Sequence, residues 1–226
     1  MSLATVPKSY PDQSLVISFL TIRKAVGILG IFLPIGLAIG VPLLSECKQI
    51  QDSISDYYYT KMSSFMVGTL CAVGLFLFSY KGYEKGDTVF SKLACVFALG
   101  VAFFPTKGPD ENLICNFLHR NGASWVSMMH NIFAALFFMT LAYFCLFLFT
   151  KTSGNPTSQK MKRNVIYKVC GYIILISVVL LFLYFQINSL ETALAKYKPV
   201  FILETFALWA FGFSWLIKGE FLLKDK

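Results

Sequence analysis

Apolar residues run through this chain in long blocks, not in the alternating or three-to-four spacing of elements with one water-facing side. Six blocks stand out, at about 25–44, 62–80, 89–104, 125–149, 165–186 and 199–217. A hydrocarbon core of about 30 Å is crossed by about 20 helical residues, so each block is predicted to be a membrane-spanning helix. The third is short, carries Lys92 near its start, where the side chain can snorkel towards water, and is stopped by Pro105. The first holds Gly27, Gly30, Gly36 and Gly40 with Pro34 and Pro42, a pattern that permits close helix packing and a kink. The predicted fold is therefore all-α: a polytopic membrane protein built as a six-transmembrane-helix bundle.

The polar interruptions carry the rest of the information. The first, at 45–62, reads SECKQIQDSISDYYYTKM and holds Glu46, Asp52, Asp56, Ser53, Ser55 and the aromatic run Tyr57, Tyr58 and Tyr59. The connector at 151–164, KTSGNPTSQKMKRN, is rich in Ser, Thr, Pro and Gly and is basic, as a solvated loop should be. With six spans both termini share one side. Only Lys48, Lys61, Lys107, Arg120, Lys196 and Lys198 fall on the other side, leaving 14 of the 20 basic residues beside the termini. Basic loops stay in the cytoplasm, so the expected topology is N-in/C-in. The chain then divides into a cytoplasmic segment at 1–24, a transmembrane domain at 25–217 and a cytoplasmic tail at 218–226. Two prolines, Asp12 and the Arg23-Lys24 pair precede the first full span, which argues for an uncleaved first span over a signal peptide.

Composition agrees with that picture. The 226 residues are 56% hydrophobic and 14% charged, against about 25% charged in soluble domains. The net charge of +8 sits mainly beside span ends. That placement suits anchoring against anionic lipid and not nucleic-acid binding. Membrane lipids are the expected partners; nothing in the chain points to a protein partner. No matching motif relates the first three spans to the last three, so an inverted-repeat transporter gains no support.

Three ionisable residues lie near the outer ends of even-numbered spans: Asp56 just before the second, His130 in the fourth and Glu204 in the sixth. Ionisable groups at such depth turn towards the protein interior or a water-filled cavity. Glu204 stands out, because PVFILETFALWAFGFSWLI has no other charge. Each also has a plain structural reading: an interfacial carboxylate, a satisfied buried histidine, tyrosines of an aromatic belt. The functional reading gathers Ser53, Asp56, Tyr57, His130 and Glu204 into one outward-facing polar pocket, with His130 as the acid's partner and Ser55 as an alternative to Ser53.

No cofactor is predicted. A zinc site wants three protein ligands, and with only His119 and His130 available it would rest on Asp56, His130 and Glu204. Cys71, Cys95, Cys145 and Cys170 lie in apolar blocks and read as packing residues. Cys47 and Cys115 both fall in outer loops and are the candidate disulfide pair. No CxxC, P-loop, GxSxG or HExxH pattern occurs.

The segments SISDYYYTKMSSFMVGTLCAVGLFLFSYKGYEKGD, FALGVAFFPT, HNIFAALFFMTLAYFCLFLFTKT and FILETFALWAFGFSWLIKGE resemble a group of uncharacterised bacterial six-span membrane proteins. That group is in turn loosely similar to the FRAG/DRAM/Sfk membrane proteins, whose members are linked to lipid and lipid-anchor handling. The resemblance implies an integral protein of the bacterial inner membrane associated with lipid. Ser53, Asp56 and His130 also resemble part of the zinc set of CREST-type membrane hydrolases, although the late HxxxH pair of that family is absent. The expected function is binding of a lipid head group or small ligand in the outward pocket. The alternatives are a CREST-like hydrolase of a lipid amide or ester, in which zinc would enter, and a small permease.

Overall fold

The computed structural model of the chain describes residues 13–81, 84–107, 124–152 and 154–223. Every regular element among them is helical: α1 Gln13–Leu44, α2 Ser63–Ser79, α3 Lys85–Phe103, α4 Ser124–Tyr143, α5 Ser158–Gln186, α6 Asn188–Leu194 and α7 Pro199–Lys218. A five-residue 3₁₀ turn, Ser55–Tyr59, lies between α1 and α2, and α4 continues as a π-turn through Phe144–Leu148. Five helices, α1, α3, α4, α5 and α7, are long and apolar enough to cross a membrane. The remaining apolar block, at 62–80, forms α2, which at 17 residues is shorter. The predicted start of the first span falls inside α1, and α6 is a short helix that the sequence reading left as loop.

Local chemistry accounts for the ends. Pro199 opens α7 where a missing N–H costs nothing. Glu84 and Asp87 cap α3 reciprocally, each side chain accepting from the other's backbone N–H. Thr157 Oγ1 accepts from the Lys160 N–H and caps α5.

The long helices close into a ring in which each packs on its neighbours, in the order α1, α2, α3, α4, α5, α7 and back to α1. Lipid tails are as apolar as leucine, so such contacts depend on close packing more than on water exclusion. Glycine supplies it where α1 crosses α7. A Cβ at Gly212 would lie 2.6 Å from the Gly27 carbonyl oxygen, and one at Gly27 would lie 2.7 Å from that of Gly212. Gly36 and Gly40 similarly admit Phe65 and Met62 on the side facing α2. The glycines of the first block thus serve both neighbours of α1.

Gly212→Ala tests this contact. Helix propensity favours alanine by about 1 kcal/mol, but overpacking costs about 1–3 kcal/mol. The added Cβ meets a backbone oxygen that cannot swing aside, which puts the cost at the upper end. A net loss of about 2 kcal/mol is expected in detergent unfolding, and an alanine variant as stable as the wild type would refute the crossing.

At the Lys218 end of the bundle the core is aromatic. Trp215 is fully buried, with the rings of Phe149, Tyr80, Phe211 and Phe144 centred 5.2, 5.3, 5.9 and 6.1 Å away. Cys95, Cys145 and Cys170 are buried free thiols that fill gaps between helices.

Candidate functional site

The other end of the bundle, where α7 begins, is closed by the segment 51–60 folded over the helix ends. Its 3₁₀ turn points successive residues in different directions, because about three residues complete a turn. Asp52 and Ile54, just before the turn, therefore reach α7, Ser55 reaches α4, and Asp56 and Tyr59 reach Thr106 after α3.

Towards α7, the Asp52 carbonyl accepts from the Phe201 N–H at 2.9 Å, supplying one of the acceptors that a helix's first turn lacks. One turn further along α7, Glu204 returns the contact: its Oε2 accepts from the Ile54 N–H at 2.7 Å. Asp52 also pairs with Lys198. Both side chains of that pair are substantially exposed, so it adds little stability.

Towards α4, the Ser55 hydroxyl lies 2.9 Å from His130 Nε2, while His130 Nδ1 lies 2.6 Å from the Phe104 carbonyl oxygen. A carbonyl only accepts, so Nδ1 carries the proton in the neutral ring. Nε2 then accepts from the Ser55 hydroxyl. Towards the segment after α3, the Thr106 hydroxyl donates to Asp56 Oδ1 at 3.1 Å, and the Tyr59 hydroxyl donates to the Thr106 carbonyl. The Asp56 N–H is held by Ser53 Oγ at 3.0 Å.

Asp56, His130 and Glu204 thus meet on one turn, yet they do not share one cavity. Glu204 and Ser55 face a small apolar cavity of ≈ 30 Å³ inside the bundle, walled by Leu33, Met66, Leu70 and Phe137 among others. Asp56 and Ser53 face a different one of ≈ 340 Å³, which also takes in Asp52, Thr106, Lys107, Asn131, Glu191 and Lys198. His130 lines neither, and it partners a hydroxyl and a carbonyl instead of the carboxylate expected from the sequence. Both ring nitrogens are thereby occupied. Among the described residues no group of three or more His, Cys, Asp or Glu side chains is placed to hold a metal ion, so Asp56, His130 and Glu204 do not form a zinc set.

Tyr57 also departs from expectation. It is fully buried, its ring is 6.0 Å from that of Phe201, and its hydroxyl accepts from the Gln51 N–H at 3.4 Å. Tyr57 and Tyr59 are core residues of the closing segment, not an aromatic belt. Cys47 is buried beneath the same segment. Its candidate partner Cys115 lies outside the described residues, as does His119.

Glu191, Lys198 and Thr106 escaped the sequence reading. None lies in an apolar block, so nothing marked them against other loop residues. The hydroxyl that reaches His130 is that of Ser55; Ser53 bonds within its own turn instead.

Burial pushes the Asp56 carboxyl above its ordinary value of 3.8, and the nearby charge of Asp52 adds to the rise. Hydrogen bonds from Ser53 and Thr106 oppose both without reversing them. The folded state therefore holds this proton more tightly than the unfolded chain. Stability from this group is complete below pH 3.8 and is lost as pH rises through the raised folded value. Asp56→Asn keeps an acceptor for Thr106 and removes the titration. Unfolding midpoints followed from pH 4 upward should fall less steeply for the variant; parallel profiles would contradict the assignment.

The chain matches no protein-family model, no curated protein and no solved structure.

Proposed function

We propose that the chain is a six-span integral membrane protein, N-in/C-in, that binds a lipid head group or small polar ligand at its outward end. The observation that carries this reading is the ≈ 340 Å³ cavity beside Asp56. That size lies within the range of about 300–1,000 Å³ usual for small-ligand sites. Asp52, Asp56 and Glu191 bring carboxylates to it, while Lys107 and Lys198 bring ammonium groups. Both signs at one rim suit a zwitterion, its cationic part towards the carboxylates and its anionic part towards the lysines. Tyr184 and Phe185 add an aromatic wall against which a quaternary or primary ammonium can rest.

Native mass spectrometry of protein purified from membranes tests the reading. A co-purifying zwitterionic lipid or small molecule should be present in the wild type and depleted in Asp56→Asn and Lys107→Gln. Identical adducts in all three, or none in any, would overturn it. Topology has its own test. Reporters fused after Lys226 and within 151–164 should both read cytoplasmic, and an external reading at either position would refute N-in/C-in.

One observation favours a second reading, a membrane-embedded hydrolase. Ser55, His130 and the Phe104 carbonyl form the relay of an activated serine: hydroxyl, accepting Nε2, and an oriented Nδ1–H. In that role the Ser55 oxygen would attack an acyl carbonyl as its proton passes to His130 Nε2. The same proton would go to the departing amine or alcohol as its bond to the acyl carbon breaks, and water, deprotonated by His130, would then release the acid from Ser55. The ≈ 30 Å³ beside Ser55 holds little more than a water molecule, so the closing segment would have to lift for a substrate to enter. A fluorophosphonate probe in native membranes should label the wild type and spare Ser55→Ala. An unlabelled wild type would leave Ser55–His130 as a structural clamp.

A further inference from the structure

The Lys218 end of the bundle holds a second cavity, of ≈ 300 Å³, whose chemistry is unlike that of the first. Its lining carries five cations, Arg23 from α1, Lys151 from the connector after α4, Lys160 and Arg163 from α5, and Lys218 from α7. The described lining has a single carboxylate, Glu220. Lys151 is already shared with two carboxylates outside that lining, Asp87 at 2.6 Å and Glu84 at 3.1 Å, so the positive excess falls on Arg23, Lys160, Arg163 and Lys218. Like charges drawn together from three helices repel one another, and an arrangement of this kind is favourable when an anion sits among them.

The cations are also held in place. Lys160 lies 5.7 Å from the Tyr167 ring centre, Lys218 5.5 Å from that of Phe149 and Arg23 5.7 Å from that of Tyr80. These rings belong to the cluster around Trp215, so a rigid aromatic floor fixes the charged heads. Lys160 Nζ donates to the Phe149 carbonyl at 2.7 Å, and Arg163 Nη1 donates to the Leu223 carbonyl at 3.1 Å. The Arg23 Nε is buried with no hydrogen-bond partner among the described residues. A buried guanidinium donor left unmatched is costly, which is a second sign that an acceptor belongs here. The N-terminus of α5, capped at Thr157 on the cavity wall, adds the positive end of a 29-residue helix.

We infer that this cavity binds a phosphate group. Two guanidinium forks and the ammonium groups of Lys160 and Lys218 approach from three helices, with Lys151 at the rim, which matches a dianion with several acceptor oxygens better than a planar carboxylate. The volume leaves room for more than the phosphate alone, so the group can belong to a phospholipid head or to a soluble phosphate. The inference stands on the opposite end of the molecule from the ligand pocket proposed above and does not depend on it.

The test uses the full chain in an uncharged detergent, with thermal midpoints read against added ligand. Inorganic phosphate and dioctanoyl phosphatidic acid are titrated separately, with potassium chloride at matched ionic strength and dioctanoyl phosphatidylcholine as controls. A saturable rise with at least one of the two phosphate probes, absent from both controls, is expected. A rise with phosphatidic acid alone assigns the lipid as the source; a rise with both shows that the phosphate suffices. Lys160→Gln and Arg163→Gln retain a donor for their carbonyl partners and should weaken the response at least tenfold. Lys151→Gln, at the more open rim, serves if either variant fails to fold. No saturable rise with either probe, or unchanged affinity in every folded variant, overturns the inference.

Discussion

Replacing Glu204 with alanine is expected to lower the stability of the fold by about 2–3 kcal/mol. Glu204 is the α7 side chain that holds the backbone of the closing segment, by accepting the Ile54 N–H at 2.7 Å. Alanine leaves that N–H facing an apolar cavity of ≈ 30 Å³ walled by leucine, methionine and phenylalanine, where little water can replace the lost acceptor. Glu204→Gln separates charge from hydrogen bonding. Its amide oxygen still accepts from Ile54, so most of the stability should return. If the group serves only to close the bundle, Gln will be nearly neutral in every assay. If it also serves a ligand, Gln will fold normally and lose binding. Thermal unfolding of the three proteins in detergent measures the first part, and an alanine variant as stable as the wild type would refute the clamp.

Trp215→Ala should cost about 3 kcal/mol, at the low end for removal of a buried tryptophan. The low end applies because helices separated in lipid still keep the ring in an apolar medium, so the loss is one of packing and not of transfer from water. Four rings within about 6 Å lose their common neighbour, and the space cannot close without moving α7. The same rings carry Lys218, Arg23 and Lys160, so the cationic cavity should loosen with the core. Trp215→Phe is the control. The indole Nε1 is buried without a partner among the described residues, so phenylalanine gives up volume but no hydrogen bond to them. It should retain most of the stability. Equal losses for Phe and Ala would show that the indole nitrogen, and not ring packing, is what matters.

How legible the site was depends on which residue is considered. Asp56, His130 and Glu204 could be picked out because ionisable groups beside apolar blocks must turn inward. The rule does not say that they meet on one turn, nor that Asp56 and Glu204 open onto separate cavities there. Nor does it give their partners, since Ile54 N–H, the Ser55 hydroxyl and the Thr106 hydroxyl are common groups that nothing in the sequence singles out. Tyr57 was misplaced for the same reason. An aromatic residue next to a span suits an interfacial belt or a core equally well, and only the fold of 51–60 over the helix ends decides between them.

The chain's apolar blocks, their limits at Pro105 and Pro199, and the glycines of α1 could be read directly, because block length, proline geometry and the absence of a side chain are local properties. The cationic cavity was visible only as basic residues scattered beside block ends. Arg23, Lys151, Lys160, Arg163 and Lys218 are spread over most of the chain, and the ring of helices that returns α7 to α1 is what brings them together. Likewise, the 3₁₀ turn decided that Asp56 and Glu204 open onto separate cavities. The sequence determined which residues could not face lipid. The tertiary structure alone chose what each of them faces, because partners 50 to 150 residues apart meet only through the packing of whole helices.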